Sequence, residues 1–412
     1  MTRLSVRRMR VLRWLLPVVV GAAALPVALA AVSQTPEAPA ATPWVVTDDG
    51  RGDELQARVL RGRALTIAHD CGACHGGMPN PAAEGWLAGR SSEEEADPVG
   101  PFRTWARNLT PDEETGLGRF SERQIFNALR YGLRPKSTPD VEVTSAIPGE
   151  GNHPANPDYL APSMPWMYWR YMSDDELRDI AAYLKHGVLP VRHEVPESEK
   201  PPGGWAGEYP PPEVLGTHVL PPFPTAHEME PPAERRDQVL LGRKVVASTA
   251  CAACHGGAIH PAMDGWLSGS RPESPFPQFE IGPFTTYPRN LTPDNATGMG
   301  RFTERQIFNA LRFGLRPGET PDVEITSTVP GEGNHPVNPK YMAPPMPWPA
   351  WRHLTDEQLW AAAAYLKHAV RPVTNRVPDS EGPPDFWASE YTPDKIGTWP
   401  AAPFPTSRER AP

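Results

Sequence analysis

A five-residue motif that occurs twice restricts the folds that this chain can adopt more than any other feature of its sequence. Cys71-Gly72-Ala73-Cys74-His75 returns as Cys251-Ala252-Ala253-Cys254-His255, and the two copies contain all 4 cysteines of the 412 residues. Two thiols three positions apart lie on one face of a helical turn, and the next residue adds an imidazole. The chain must therefore build two equivalent sites, each with two thiols and one imidazole.

The C-x-x-C-H spacing is the one used for covalent attachment of c-type haem. Each thiol forms a thioether with one haem vinyl group, and the adjacent imidazole binds the iron. Methionine, histidine or a thiolate usually supplies the second axial ligand. We therefore predict two covalently bound haem c groups. The predicted thioether residues are Cys71, Cys74, Cys251 and Cys254, and the predicted proximal iron ligands are His75 and His255.

Other uses of four cysteines are a structural zinc site, two disulfide bonds or a redox-active pair. Zinc explains the cysteine pairs but does not explain the histidine directly after each pair. A thioredoxin-type pair requires a βαβ context, of which the sequence shows no sign. Duplication of the whole motif behind an export signal favours haem.

Most of the chain is an internal repeat. Residues 107–198 align with residues 289–380 at a constant offset of 182, whereas the two haem motifs are offset by 180. The second copy therefore gains two residues between its motif and the aligned block. Each copy can be read as an internal control for the other.

The repeat and the composition together predict the domain boundaries. The 54 prolines indicate that much of the chain outside the repeat is irregular. The predicted segments are a signal peptide or membrane anchor (1–32), a flexible leader (33–50), a first unit (51–198), a proline-rich extension and hinge (199–231), a second unit (232–380) and a proline-rich C-terminal extension (381–412).

The two proline-rich extensions also repeat their aromatic residues. Trp205 and Tyr209 correspond to Trp387 and Tyr391, and Phe223 corresponds to Phe404 after a one-residue gap. A flexible linker depends on composition alone, so repeated aromatic residues predict that each extension packs against its own unit. The alternative is an evolutionary remnant that stays mobile. The hinge between the units is then predicted to be short, at residues 226–232.

The N-terminus predicts export. Five arginines precede or enter an apolar run at residues 14–32, and Ala28-Leu29-Ala30 resembles a cleavage site. The run is long enough for either a signal peptide or an uncleaved anchor, and in both cases the remaining chain is predicted to be periplasmic.

The remaining chain is acidic. The net charge is −9 and residues 1–30 contribute five positive charges and no negative one, so the rest carries −14. This charge argues against nucleic acid and anionic lipid as partners. It is consistent with docking to a basic redox protein, or simply with solubility.

Three helices are predicted in each unit from apolar periodicity and capping residues. The first covers residues 54–69 and 234–248, and its single glycine, Gly62 or Gly242, indicates close contact with another helix. Tyr183 and Tyr365 are positioned to reach this glycine. The second helix is bounded by Ser121 and Gly132 or by Thr303 and Gly314, and the last begins at Ser173 or Thr355.

The repeat selects the methionines that are candidates for the second axial ligand. Among the methionines compared between the copies, only Met164 and Met346 face each other, each in a proline-flanked loop before the last helix. A stiff loop suits a weak thioether ligand, because little entropy is lost when it binds iron. The alternative use is core packing, which is commoner for methionine.

Histidine offers two repeated competitors. His153 and His335 lie in a Gly-Glu-Gly-Asn-His-Pro loop, where they would bond a haem propionate or ligate iron, and their role stays open. His186 and His368 end the last helix and are predicted to interact with its dipole as cations. Arg107 and Arg289 are candidates for pairing with propionates, although ordinary surface arginines explain them equally. Histidines without a counterpart are predicted at the surface: His69, His193, His218, His227, His260 and His353.

With these residues in hand, the chain resembles the class I cytochrome c superfamily in a tandem two-haem form. It is similar to cytochrome c subunits associated with dehydrogenases. The resemblance rests on the haem motifs, Asn-Leu-Thr-Pro-Asp, Thr-Gly-x-Gly, Met-Pro-Trp and a last helix ending Ala-Tyr-Leu-Lys. It implies an all-α fold with two tandem cytochrome c domains and proline-rich irregular extensions. It also implies Met164 and Met346 as iron ligands.

The function implied by the resemblance is electron transport by a protein that is not itself an enzyme. Electrons would come from a dehydrogenase and pass toward a cytochrome or oxidase acceptor. The first alternative is a two-haem peroxidase, and the second is a ligand sensor or structural partner. The long Gly-Glu-Gly-Asn-His-Pro loop and the aromatic extensions depart from the family pattern, so the partner's identity stays open.

Overall fold

The computed structural model describes residues 51–412 except residues 258, 273, 275 and 276. The predicted signal peptide or anchor and the predicted leader lie outside the described residues. Helices predominate in the described part, and the N-terminal half (residues 51–198) and the C-terminal half (residues 232–380) show nearly the same order of elements.

Each half contains a long helix, a motif helix, a hairpin, a capped helix and a final helix pair. The N-terminal half contains α1 (Arg51–Ala68), α2 (Cys71–His75), α3 (Glu122–Tyr131), α4 (Trp166–Trp169) and α5 (Asp174–Ala182), and the extension after it contains α6 (Pro212–Leu215). The C-terminal half contains α7 (Arg236–Ser248), α8 (Cys251–His255), α9 (Glu304–Phe313), α10 (Trp348–Trp351) and α11 (Asp356–His368), and α12 (Pro393–Ile396) follows.

Two short antiparallel hairpins add to the helices. β1 (Asp97–Val99) pairs with β2 (Phe102–Thr104), and β3 (Phe279–Ile281) pairs with β4 (Phe284–Thr286). The all-α prediction omitted them, because strands of three residues are too short to show an alternating pattern.

The first and last helices of each half cross at a glycine. A Cβ atom at Gly62 would lie 1.9 Å from the carbonyl oxygen of Asp179 on α5, and one at Gly242 would lie 1.8 Å from that of Ala361 on α11. The same added atoms would lie 2.9 Å from the Cβ atoms of Tyr183 and Tyr365. The predicted close helix contact is confirmed, and any larger side chain would separate the helices.

The predicted helix ends are confirmed as well. Ser121 and Thr303 each accept a hydrogen bond from a backbone N–H three residues on, and the glutamine there bonds back to the cap. Gly132 ends α3 with a left-handed φ of 71°, which favours glycine. Ser173 and Thr355 cap α5 and α11 in the same way.

Each proline-rich extension begins on its own half. Trp205 is fully buried, and the Tyr209 hydroxyl donates to the Leu160 carbonyl at 2.7 Å. In the second extension Trp387 is buried and the Tyr391 hydroxyl donates to the Met342 carbonyl at 2.9 Å.

The first extension then crosses to the C-terminal half. Its closing segment, residues 225–229, pairs with the residues that follow α11, where Glu228 forms a β-bridge with Val370. The Glu228 carboxylate is buried and accepts hydrogen bonds from Arg243 at 2.7 and 3.0 Å and from the Tyr365 hydroxyl at 2.7 Å. The predicted hinge at residues 226–232 is therefore wrong in its centre, because Glu228 is anchored in the core.

The second extension crosses in the opposite direction. Its closing segment, residues 406–410, packs on the N-terminal half, where Glu409 accepts from Arg63 at 2.7 Å and from the Tyr183 hydroxyl at 2.6 Å. Phe404 lies under the Arg63 guanidinium. The prediction that each extension stays on its own unit is correct for the tryptophans and tyrosines but wrong for the phenylalanines, because Phe404 packs under Arg63 and Phe223 packs under Arg236 and Arg243 of the C-terminal half.

The two halves also pack directly. The long first helix of each half contacts the short helix that precedes the last helix of the other half. α1 contacts α10, and α7 contacts α4. Lys244 on α7 pairs with Glu176 on α5 at 2.6 Å. Across the described ranges, we find no helix with the length and apolar character needed to cross a bilayer.

Candidate functional site

The two motif helices place each histidine in the same hydrogen bond. His75 Nδ1 lies 2.6 Å from the Arg107 carbonyl oxygen, and His255 Nδ1 lies 2.6 Å from that of Arg289. A carbonyl only accepts, so Nδ1 carries the proton in both rings and Nε2 keeps a lone pair for a metal. Burial lowers the pKa of both imidazoles to about 4, so both are neutral at physiological pH.

The cysteines are protonated thiols in largely apolar surroundings. Burial raises the pKa of Cys71, Cys74 and Cys254 to about 12 and that of Cys251 to about 11. All four are free of disulfide bonds. Among the described residues, no three or more His, Cys, Asp or Glu side chains are grouped to hold a metal ion, which argues against a four-cysteine zinc site.

A cavity of about 820 Å³ opens beside the second motif. Cys251, Cys254 and His255 line it, and so does Met346, so the predicted thioether residues and both predicted axial ligands of this half meet there. Its walls include apolar side chains such as Leu291 and Ile307. The volume lies within the ~300–1,000 Å³ typical of cofactor sites.

Three arginines line the same cavity: Arg289, Arg301 and Arg316. Burial lowers the pKa of Arg316, and the charge of Arg289 lowers it further. In the N-terminal half the counterparts are Arg107, Arg119 and Arg134, and the pKa of Arg107 is likewise lowered, first by burial. Several guanidinium groups in one cavity favour a ligand that carries negatively charged groups along one edge.

Arg107 and Arg289 were candidate propionate partners from sequence, whereas the other four arginines were missed. Each of them recurs at the offset of 182. That recurrence was the signal that would have found them.

The residues therefore fit a c-type haem. The cavity provides thiols beside a neutral imidazole with Nε2 available, apolar walls, and arginines suited to the two propionates.

The N-terminal site is built in the same way. Met164 packs against the apolar cluster that contains Cys71, Leu117 and Leu129. Met346 packs against the cluster that contains Cys251. Each predicted methionine ligand thus lies on the core that surrounds its own motif, and its binding to iron stays a prediction.

The cavity beside the second motif contains three further methionines. Met167, Met299 and Met342 line it together with Met346, and their counterparts in the other half are Pro349, Leu117 and Leu160. Met346 is the one of these four with a methionine at the equivalent position, which keeps it as the preferred candidate.

The repeated histidines of the long loop serve packing. His153 and His335 are each 4% exposed, and each Nδ1 lies 3.2 Å from the next residue's carbonyl. The His153 ring meets Tyr131 and Tyr159 edge-on. His335 lies outside the lining of the cavity, so neither ligation nor propionate binding gains support.

The histidines at the last helix pair with carboxylates. His186 Nε2 lies 2.9 Å from Glu122, and His368 Nε2 lies 2.7 Å from Glu304. The hydrogen bond from His186 lowers the pKa of Glu122 to about 2, against the opposing effect of burial. Each of these histidines is therefore tied to a carboxylate of the second helix, and its role as a cation at the helix end stays a prediction.

The prediction that the unrepeated histidines lie at the surface is wrong for three of them. All six are partly exposed, but one ring nitrogen is buried without a hydrogen-bond partner in His69 (Nδ1), His218 (Nδ1) and His353 (Nε2). Burial lowers the pKa of His69 to about 4 and that of His353 to about 3. The charges acting on them include Lys244 and Arg63 from the opposite half, and sequence comparison within one unit does not show such contacts.

Comparison with known proteins agrees with this geometry. The cytochrome c family model matches residues 239–369, which include the second motif and Met346. The chain is 29% identical over 78% of its length to the gluconate 2-dehydrogenase cytochrome c subunit of Pantoea cypripedii, covering 61% of that protein. It is 25% identical over 80% of its length to the alcohol dehydrogenase (quinone) cytochrome c subunit of Gluconacetobacter polyoxogenes, covering 58% of it.

A third relative is the fructose dehydrogenase cytochrome subunit of Gluconobacter japonicus, 24% identical over 62% of this chain and 45% of that protein. The chain thus spans about three fifths of the first two relatives' lengths. Residues 239–369 form a cytochrome c domain, and the chain is homologous to dehydrogenase-associated cytochrome c subunits.

Proposed function

We propose that this chain is a two-haem c-type cytochrome that passes electrons from a dehydrogenase partner toward a respiratory acceptor in the periplasm. The observation that carries the proposal is the repeated hydrogen bond of His75 and His255, each 2.6 Å from a backbone carbonyl. It presents two neutral imidazoles in the same orientation, each within a motif for covalent haem attachment.

The proposal assigns Cys71 and Cys74 to one haem and Cys251 and Cys254 to the other. Haem iron supplies reversible one-electron exchange when it is bound. His75 and Met164 would hold one iron, and His255 and Met346 the other. The motif helices would position the histidines and the proline-flanked loops would position the methionines, so that little rearrangement would accompany a change in charge.

The donor is proposed to be a dehydrogenase catalytic subunit. The relatives are named as cytochrome subunits of gluconate, alcohol and fructose dehydrogenases. The acidic body of the chain would dock to a basic surface on such a partner. The basic and apolar pattern of residues 1–32 supports export, with the segment either removed or retained as an anchor.

A two-haem peroxidase is the less favoured alternative. It needs one iron with an open or displaceable site, whereas the halves carry matching histidines and methionines. The relatives are named as cytochrome subunits, which also favours an electron carrier.

Haem content and reduction by a partner test the proposal. The chain is expressed with the c-type haem maturation system, and haem is counted in the denatured protein. We expect two covalent haems per chain and one in the Cys251→Ala, Cys254→Ala variant. The intact protein should be reduced when a dehydrogenase of the matched class receives its substrate. Fewer than two haems in the unaltered chain, or no reduction by any such enzyme, would contradict the proposal.

A further inference from the structure

The two candidate haem sites share their ligand residues but differ in the charges beside the cysteines. Asp70, Arg90 and Asp97 all act electrostatically on Cys74 in the N-terminal half. The residues at the equivalent positions of the C-terminal half are uncharged: Ala250, Ser270 and Phe279. The internal repeat therefore compares two nearly equal sites that differ in whether these three charged side chains lie beside the motif cysteines.

Asp70 is the most enclosed of these charges. It directly precedes Cys71 with a left-handed φ of 55°, and Ala250 adopts the same backbone with a φ of 60°. Its Oδ1 atom is buried without a hydrogen-bond partner. Burial raises the pKa of Asp70 to about 8, opposed by the charge of Arg90. A carboxylate without donors acts strongly on its neighbours, because little around it neutralises its charge.

Asp97 and Arg90 complete the cluster. Asp97 begins β1 and lines the cavity together with Cys74. Arg90 donates to the Ala73 carbonyl inside the motif helix. When both carboxyl groups are ionised, two negative charges stand against one guanidinium, and the N-terminal site has a net negative surrounding.

The pKa values of the equivalent cysteines, Cys74 and Cys254, respond to different neighbouring groups. Burial raises the pKa of Cys74, and Asp97 and Asp70 raise it further while Arg90 lowers it. The pKa of Cys254 is raised by burial and then by Cys251. The same cysteine position thus senses carboxylates in one half and a neighbouring thiol in the other.

The two sites adjoin. Cys74 lines the same cavity as Cys254 and His255, and Tyr168 of the N-terminal half lines it too. Groups attached at Cys74 and Cys254 are therefore neighbours, and a single electron on the chain can distribute between the two sites.

We propose that, once Asp70 is ionised, the haem of the N-terminal half has the lower reduction potential, so that electrons enter the chain there and leave from the C-terminal half. This inference rests on the proposed function. Negative charge stabilises an oxidised iron centre relative to the reduced one, since oxidation adds one positive charge. Lys136 also differs between the halves but is exposed, so solvent screens its charge. Glu319 lines the cavity of the C-terminal half, where the N-terminal half has Ser137, and its charge offsets part of the difference.

Redox titration of the two-haem chain tests this order. Measurements are made at pH 9, where Asp70 is ionised in view of its pKa of about 8. Asp70→Asn keeps the shape of the side chain and removes its charge, and Ala250→Asp adds the charge to the other half. Asp97→Asn provides a second removal on a different element.

Each variant should narrow the separation between the two one-electron waves. Asp70→Asn raises the lower potential, whereas Ala250→Asp lowers the higher one. For Asp70→Asn we expect the distribution of one electron between the haems to change by about tenfold, which is 59 mV for a one-electron couple. Asp97→Asn should act in the same direction.

A wider separation in Asp70→Asn would show that the N-terminal haem has the higher potential, and an unchanged separation would show that Asp70 has no influence. Either result overturns the inference. Haem content is measured on the same samples: a chain with fewer than two haems contradicts the proposed function, whereas two haems with the wrong response contradict only the order.

Discussion

A single backbone carbonyl defines the chemistry of each candidate ligand histidine. Because Arg107 and Arg289 accept from Nδ1, the ring is fixed in one tautomer and one orientation. The pKa of about 4 means that each imidazole needs no deprotonation before it binds metal at neutral pH. The site is thus prepared by the fold around the motif.

Replacing Met164 or Met346 by alanine tests the second ligand. We expect each single change to remove about half of the near-infrared sulfur-to-iron absorption, because one of two thioether ligands is lost. Met172→Leu is the matched control, since Met172 is 3% exposed and the counterpart in the other half is Leu354.

An intact near-infrared band after both alanine changes would contradict the assignment. In that case Met299, which also lines the C-terminal cavity, becomes the candidate for that half. If Met346 is the ligand, Met299→Leu should leave the band unchanged, because it introduces the residue type that Leu117 provides at the equivalent N-terminal position.

At this scale the sequence predicted the residues that share one helical turn. The cysteines and histidines of the motif are identified by their spacing alone, and Met164 and Met346 by their recurrence. Asp70 could not be identified in this way, because its importance comes from burial and from its absence in the second copy. His69 was misplaced because many of the groups around it, Lys244 among them, come from the opposite half.

Helix contact at one glycine organises the elements of each half. α1 and α5 approach until the Gly62 position touches backbone, and α7 and α11 do the same at Gly242. This approach brings Tyr183 and Tyr365 to the buried tryptophans Trp86 and Trp266, each at 2.9 Å. The motif helices, which follow α1 and α7 in the chain, are positioned by these contacts.

Gly62→Ala should strongly destabilise the N-terminal half. The new Cβ atom would lie 1.9 Å from the Asp179 carbonyl oxygen, so the helices must separate. We expect a loss of about 3 kcal/mol in the free energy of unfolding, at the upper end of the usual cost of overpacking. Chemical denaturation followed by circular dichroism measures it.

Gly207→Ala is the control for this change, because a Cβ atom there meets nothing within 4 Å. Gly242→Ala should reproduce the effect in the C-terminal half. Equal stability of Gly62→Ala and Gly207→Ala would show that the helix crossing is looser than described.

The helices and their ends could be predicted because capping residues and apolar periodicity are local signals. Ser121, Gly132 and Thr303 are examples in which the cap predicted from sequence is the cap in the structure. The hairpins could not be predicted, since three-residue strands such as Phe102–Thr104 carry too little pattern.

The whole molecule is held together by two crossing extensions. Residues 225–229 close the C-terminal half, and residues 406–410 close the N-terminal half through equivalent bonds of Glu228 and Glu409. Alignment of the two copies matched these segments but could not show that they cross to the other half. A segment that packs on its own half and one that packs on the opposite half produce the same repeated sequence.

Glu409→Gln should weaken the N-terminal half selectively. Arg63 would remain buried without its counter-charge, and loss of one partner of a buried ion pair costs about 3–5 kcal/mol. Hydrogen–deuterium exchange should become faster in α1, whereas α7 keeps its protection.

Glu228→Gln is the mirror variant and should expose α7 while α1 stays protected. Removal of residues 411 and 412 serves as the control, since it leaves the Glu409 ion pair in place. Uniform loss of protection in both helices after Glu409→Gln would show that the closing segments are not specific to one half.

The ion pair between Arg63 and Glu409 joins positions 346 residues apart. During synthesis, the half that emerges first therefore waits for a segment made much later, whereas the second half receives its closing segment just before its own first helix. On the proposed function, the first pair of cysteines would meet the haem-attachment machinery in an unfinished fold. A truncated translation product would keep that fold open and offer it to proteases, so completion of the early half reports that the late part has arrived.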